Sequence, residues 1–116
     1  MPSLEALEQR FQYRDFAHFI HMWIWKNGFL REYKDFSAIA EAVARDLACQ
    51  NIRYVEAFYS PTDFSQHGLS TQRLTEAIRA GLSRVPEVEV SLVADLVRDN
   101  GPERAAVTLA EVNEVR

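Results

Sequence analysis

Two strand-like stretches with one helical stretch between them constrain this chain more than any other feature. NIRYVEAFYSP (51–61) and VEVSLVADLVR (88–98) are rich in β-branched and aromatic residues and are bounded by turn formers. Between them, Ser70 is placed to cap a helix whose apolar stripe is Leu74, Ala77, Ile78 and Leu82, and Pro86 separates that helix from the second stretch. Strand, helix, strand at this spacing is a βαβ unit, and a crossover helix makes its two strands parallel.

Parallel strands are ordinarily covered on both faces, which lets each alternation be read. In the first strand Val55, Ala57 and Tyr59 point one way, while Tyr54, Glu56, Phe58 and Ser60 point the other. In the second, Val90, Leu92, Ala94 and Leu96 oppose Glu89, Ser91, Val93, Asp95 and Val97. The second face is mixed in both. An open doubly wound sheet would want that face apolar, whereas a (β/α)8 barrel encloses it in a lumen where polar residues can pair, so the pattern favours a partial (β/α)8 TIM barrel. Glu56 and Asp95 then point inward and need a cation or a donor, because an unpaired buried charge is costly. Arg53, Arg98 or a basic residue on another strand is the expected partner. Two strands do not close a barrel, and each leaves an edge open to another chain.

The flanks are helical. SLEALEQRF has Ser3 as a cap and good helix formers behind it. DFAHFIHMWIW places Phe16, Phe19, Ile20 and Trp23 on one helical face, with Gly28 as the expected stop. From Asp35, a further stripe runs through Phe36, Ile39, Ala40, Val43 and Leu47. Pro102 is placed as the first residue of a last helix through Ala105, Leu109 and Val112.

A length of 116 residues fits one domain at most. Lys and Arg number 13 against 17 Asp and Glu, and the basic residues are scattered, so no nucleic-acid footprint is expected. The lone Cys49 fits a reducing compartment, the apolar run FIHMWIW is too short for a bilayer, and no secretory pattern follows Met1. The expectation is a cytoplasmic protein without membrane partners.

The ordered set RDFAHFI, DLACQNIRYVEAFYSP, GLSTQRLTEAIRAGL and VSLVADLVRDNGPERA resembles the early barrel of the adenosine deaminase family of metal-dependent hydrolases. The likeness lies in a gate helix, in Tyr54-x-Glu56-x-x-x-x-Pro61, in Gly68-Leu69-Ser70 at a helix start, and in a strand closing on Leu96-x-Arg98. It runs from about Leu4 to the last residue, and it implies a single partial domain, 1–116: the gate helices plus the second and third barrel strands with their helices. The family's zinc is held by an H-x-H strand, a later His and a late Asp, and an H-A-G-E glutamate donates a proton to the purine ring. None of these motifs occurs here, so the resemblance implies no zinc bound to this chain and no catalytic residue within it.

What carries over is a substrate border. Phe16 and Phe19 match the apolar side of the gate helix that shields a purine nucleoside, or else are ordinary packing. Ser60 matches a position near the active-site entrance, or else caps the turn at Pro61. Val97 matches the pocket floor, or else fills space. Glu56 and Asp95 lie below the substrate end and are expected to be structural. His18 and His21 form a helix face rather than a metal site, since no third ligand is near in sequence. His67 is a loop residue at the functional end. Ala57 and Phe58 stand where many relatives have a basic residue, and Arg73 stands where an acid would complete a capping box with Ser70. Two alternatives remain open at this point: a non-catalytic interaction module self-associating through its strand edges, and part of a deaminase for adenine or another amine-bearing nucleoside or nucleotide.

Overall fold

The computed structural model describes residues 3–65 and 67–115, apart from the side chains of Asp63 and Ser65. The chain divides into two compact units, 1–30 and 31–116, each taken here by itself.

The first unit is two helices, α1 (Leu4–Arg10) and α2 (Phe16–Asn27). Ser3 caps α1 by accepting the Ala6 N–H at 3.1 Å. Asp15 caps α2 by accepting the His18 N–H at 2.8 Å, satisfying one of the orphan donors of a first turn. Gly28 closes α2 as expected. The anticipated stripe of α2 forms a ladder of rings, with Phe16 and Phe19 6.2 Å apart and Phe19 and Trp23 6.2 Å apart. It is not a buried ladder. Phe16, Ile20 and Trp23 are exposed, and Met22 is the buried residue of this helix. Periodicity identified a face, and two short helices alone do not supply a surface large enough to cover it.

The second unit runs α3 (Tyr33–Cys49), β1 (Tyr54–Tyr59), α4 (Thr62–Ser65), α5 (Thr71–Ser83), β2 (Glu89–Ala94), a 3₁₀ turn (Arg98–Asn100) and α6 (Pro102–Glu114). The α3 N-terminus is held by Asp35, whose Oδ2 accepts the backbone N–H of Glu32 at 3.1 Å and of Arg31 at 3.3 Å. Its C-terminus is a Schellman turn: Asn51 adopts φ 60°, its N–H reaches the Ala48 carbonyl at 3.0 Å, and the Ile52 N–H reaches the Leu47 carbonyl at 3.0 Å. This turn aims the chain back into β1.

β1 and β2 are parallel, in register from Tyr54 opposite Glu89 to Tyr59 opposite Ala94. The α/β class and the parallel pairing are those read from the sequence, and the strands are shorter than the stretches that announced them. Val55, Ala57, Tyr59, Val90 and Leu92 face α3 and α5 across an apolar cleft of about 310 Å³. Tyr54, Glu56 and Phe58 are exposed on the opposite face.

The core is made by α3 and α5. Ala44, Val85 and Val88 are buried together, with Leu47, Leu82 and Val90 packed against them, and Leu74 is buried to 1%. The helices cross closely at Gly81: a Cβ built there would land on the Ser37 carbonyl oxygen and lie 2.9 Å from the Ala40 Cβ. That crossing turns α3 so that Phe36, Ala40 and Ala44 are buried, whereas Ile39 and Val43 of the expected stripe are about half exposed. Arg84 braces the same junction, reaching Glu41 Oε2 at 3.1 Å while Arg45 reaches Glu41 Oε1 at 2.6 Å.

A seam of hydroxyls joins β1, α4, α5 and α6. Thr62 and Thr108 are buried with their hydroxyls 2.7 Å apart, and the Tyr59 hydroxyl lies 2.7 Å from Thr75 Oγ1. Thr75 donates to the Thr71 carbonyl at 2.8 Å, and the Thr71 hydroxyl donates to Glu111 at 2.6 Å. Buried polar groups of this kind are tolerated because they are hydrogen-bonded.

Candidate functional site

In α/β sheets the carboxyl ends of parallel strands are where ligands are met, because the loops that vary are collected there. In this chain that end is built by Ser60, just past β1, and Asp95, just past β2. The register continues past the last paired residues, since the Asp95 N–H donates to the Tyr59 carbonyl at 2.9 Å. Ser60 and Asp95 are thereby side by side, and the Ser60 hydroxyl donates to Asp95 Oδ2 at 2.9 Å in a half-buried setting. The other carboxylate oxygen, Oδ1, is buried and has no hydrogen-bond partner among the described residues. A buried carboxylate oxygen without a donor is costly, and such an atom in a native fold calls for an explanation.

Around this pair, Val97 leads into the 3₁₀ turn and is half-buried, and Pro61 is buried behind Ser60. The end of the loop before α5 is tied to the first residue of α3. Ser70 caps α5 by accepting the Arg73 N–H at 3.2 Å, and the Ser70 N–H donates to the Tyr33 hydroxyl at 2.9 Å. That backbone donor lowers the Tyr33 pKa below the ordinary tyrosine value, and the Arg73 guanidinium, stacked 4.4 Å over the ring, pulls the same way. His67 is exposed in this loop.

Glu56 lies lower on the same sheet face. It is exposed, and its Oε1 accepts from the Tyr54 hydroxyl at 3.1 Å, which also approaches Ser91 Oγ at 3.4 Å. Both carboxylates are thus met by hydroxyls, where Arg53, Arg98 or a basic residue on another strand had been expected. The reason is local geometry: Tyr54 and Glu56 share a face by strand periodicity, and Ser60 and Asp95 share a register position. The second pairing was available from the sequence once the strand register was worked out; the first needed only the alternation.

Phe16 and Phe19 belong to the other unit. Phe16 is exposed, and Phe19 borders an apolar cleft of about 300 Å³ with Tyr13, Trp23 and Lys26. Burial lowers the Lys26 pKa, and its ammonium sits 3.5 Å above the Trp23 ring. His18 and His21 lie on the side of α2 that carries Met22 and Trp25. Among the described residues, no group of three or more His, Cys, Asp or Glu side chains is placed to hold a metal ion. No described helix is long and apolar enough to cross a membrane.

The fold and the furnished strand ends define one class: an α/β unit of two parallel strands with flanking helices, part of a (β/α)8 barrel. The sequence comparisons make the class specific. The adenosine deaminase family profile matches residues 1–114, and the chain belongs to that family. It is 34% identical over 74 residues to an aminodeoxyfutalosine deaminase of Streptomyces avermitilis, covering 64% of this chain and 21% of the relative. It is 27% identical over 113 residues to an adenine deaminase of Bordetella avium, covering 95% of this chain and 36% of the relative. An adenine deaminase of Streptomyces coelicolor is 26% identical over 108 residues, covering 90% of this chain and 32% of the relative. The chain therefore spans between about a fifth and about a third of the length of these curated relatives. The family is metal-dependent, and the donors described here do not fit a metal site of the family's kind.

Proposed function

We propose that residues 1–116 act together as one partial domain, the gate-helix and second- and third-strand part of a cytoplasmic purine deaminase. The substrate is adenosine, adenine or a related amine-bearing nucleoside or nucleotide. In this reading Phe16 and Phe19 shield the ligand, Ser60 and Val97 border it, and Glu56 and Asp95 hold the sheet's inner face. The zinc and the groups that move protons belong to parts of the deaminase outside these residues, so the chain by itself is not expected to turn substrate over. Neither nucleic acid nor membrane is a partner.

The observation that carries this is the Ser60–Asp95 pair at the carboxyl ends of adjacent parallel strands, within a chain matched to the family over residues 1–114. The test is a chimera of the Bordetella avium adenine deaminase in which the aligned segment is replaced by this sequence. Retention of ammonia release from adenine or adenosine supports the reading. A chimera that folds with bound zinc and releases no ammonia from any of these purines overturns it. Stoichiometric zinc or turnover by the 116-residue chain alone would also overturn it.

A second reading rests on the open edges of β1 and β2 and the half-exposed Ile39 and Val43 beside β1. Here the chain is an interaction module that pairs strand edge to strand edge. Light scattering on the purified chain separates the two: a discrete dimer favours the module, and a monomer removes it.

A further inference from the structure

We infer that the first unit carries a binding site for a small organic anion, a carboxylate or phosphate ester, in the cleft between α1 and α2. The site is independent of the deaminase reading and uses none of the six side chains given a role in it. The cleft has a volume of about 540 Å³, within the range of small-molecule sites and larger than a bare ion requires. Its walls carry Arg10, His18 and His21 with the carboxamides of Gln9 and Gln12, and no carboxylate lines it. Its floor is Met22 and Trp25.

Three details make this more than a polar groove. Arg10 is held in place by stacking, with its guanidinium carbon 4.6 Å from the Trp25 ring centroid. No ion pair to Arg10 is found among the described residues, so its fork of N–H donors is uncommitted. His18 is oriented by the Arg14 backbone N–H, which donates to its Nδ1 at 3.1 Å. With Nδ1 accepting, the neutral ring carries its proton on Nε2 and presents a donor. His21, one turn further along α2, adds a second imidazole to the same wall.

A guanidinium fork with adjacent N–H donors is the chemistry that recognises a planar carboxylate or a phosphate oxygen, by paired charge-assisted hydrogen bonds. A metal cation is the opposite fit, because the guanidinium would repel it and only two imidazoles would bind it. The apolar floor gives the carbon body of the ligand somewhere to lie.

The test follows the imidazole C–H resonances of His18 and His21 in the full 116-residue chain at fixed pH and ionic strength. Inorganic phosphate and acetate are the titrants, and chloride is the control. A saturable shift with phosphate alone assigns a phosphate site, and a saturable shift with acetate assigns a carboxylate site. Either should weaken about tenfold or more in Arg10→Gln and in His18→Gln, while Arg73→Gln, a stacked arginine in the other unit, leaves it unchanged. Shifts that do not saturate, that chloride reproduces, or that survive Arg10→Gln undiminished would overturn the site. Because the readout contains no purine and no zinc, its failure leaves the deaminase reading standing, and failure of the chimera leaves this site standing.

Discussion

The two units of this chain use similar apolar material to different ends. In residues 31–116, a helix with modest apolar content buries Phe36, Ala40 and Ala44, because a second helix, α5, packs closely along it. In residues 1–30, the richer run FAHFIHMWIW leaves Phe16 and Ile24 largely in solvent and Ile20 and Trp23 partly so, with Met22 as the buried residue of its helix. Apolar content is therefore a poor guide to burial; the number of neighbouring elements decides. The second unit should hold the stability of the chain, and the first should hold its unspent contact surface.

The hardest blow to that contrast would come from Leu74. It is 1% exposed, so Leu74→Ala should cost about 3 kcal/mol, within the usual range for emptying a core position. Denaturant unfolding measures this, and a loss below about 1 kcal/mol would mean that the core does not lie where α3 and α5 meet. Gly81→Ala is next, at about 2 kcal/mol, since the added methyl meets a backbone carbonyl that cannot rotate aside. A neutral result would break the close crossing of the two helices.

Thr75→Val is expected to cost about 1–2 kcal/mol in the same measurement, because it leaves the Tyr59 hydroxyl without its partner inside the second unit. The pH dependence sharpens the picture at the surface. Arg45 first, then Arg84, hold the Glu41 pKa below its ordinary value by hydrogen bonds. A depressed carboxylate contributes stability that is present above its unfolded value, near about 4.3, and is lost as pH falls through the lower folded value. Urea midpoints should therefore drop on acidification below that point, and the drop should be smaller in Glu41→Gln. Smallest of all is Phe16→Ser in the first unit, expected within about 0.5 kcal/mol because the ring is 76% exposed. A larger loss would show that the ring ladder is a stabilising core after all.

Much of the fold was legible because its signals were local. Ser3 and Ser70 act as caps, Pro102 opens the last helix, and the β1 and β2 alternations place the faces as read. What escaped was set by neighbours. The stripe of α3 was read through Phe36, Ile39, Ala40, Val43 and Leu47; Phe36 and Ala40 are buried as read, but Ala44 joins them in place of Ile39 and Val43, because Gly81 admits a close crossing that favours small residues. A glycine inside a strong helical pattern is itself the sign of such a crossing, and it went unused. Asn51 likewise carried its Schellman turn openly, since asparagine is among the few residues at ease with a positive φ. At the site, Ser60 was singled out and Asp95 was placed on the inner face, but their bond required the inter-strand register. That Tyr54 would answer Glu56 was masked by the habit of pairing carboxylates with arginines.

The hydroxyl seam has a grammar of its own. Thr75 owns one hydroxyl hydrogen and gives it to the Thr71 carbonyl, so it can only receive from Tyr59. Donation therefore runs one way, from the end of the strand into the helix backbone. Position 75 must both take and give, which leaves serine as the natural substitute, while position 59 must give. Between Thr62 and Thr108, whose hydroxyls lie 2.7 Å apart, either oxygen can serve as the donor. Substitution at positions 59 and 75 should follow that direction: serine at 75 keeps the acceptor that Tyr59 needs, and a residue without a hydroxyl there leaves the tyrosine's proton without a partner inside the second unit.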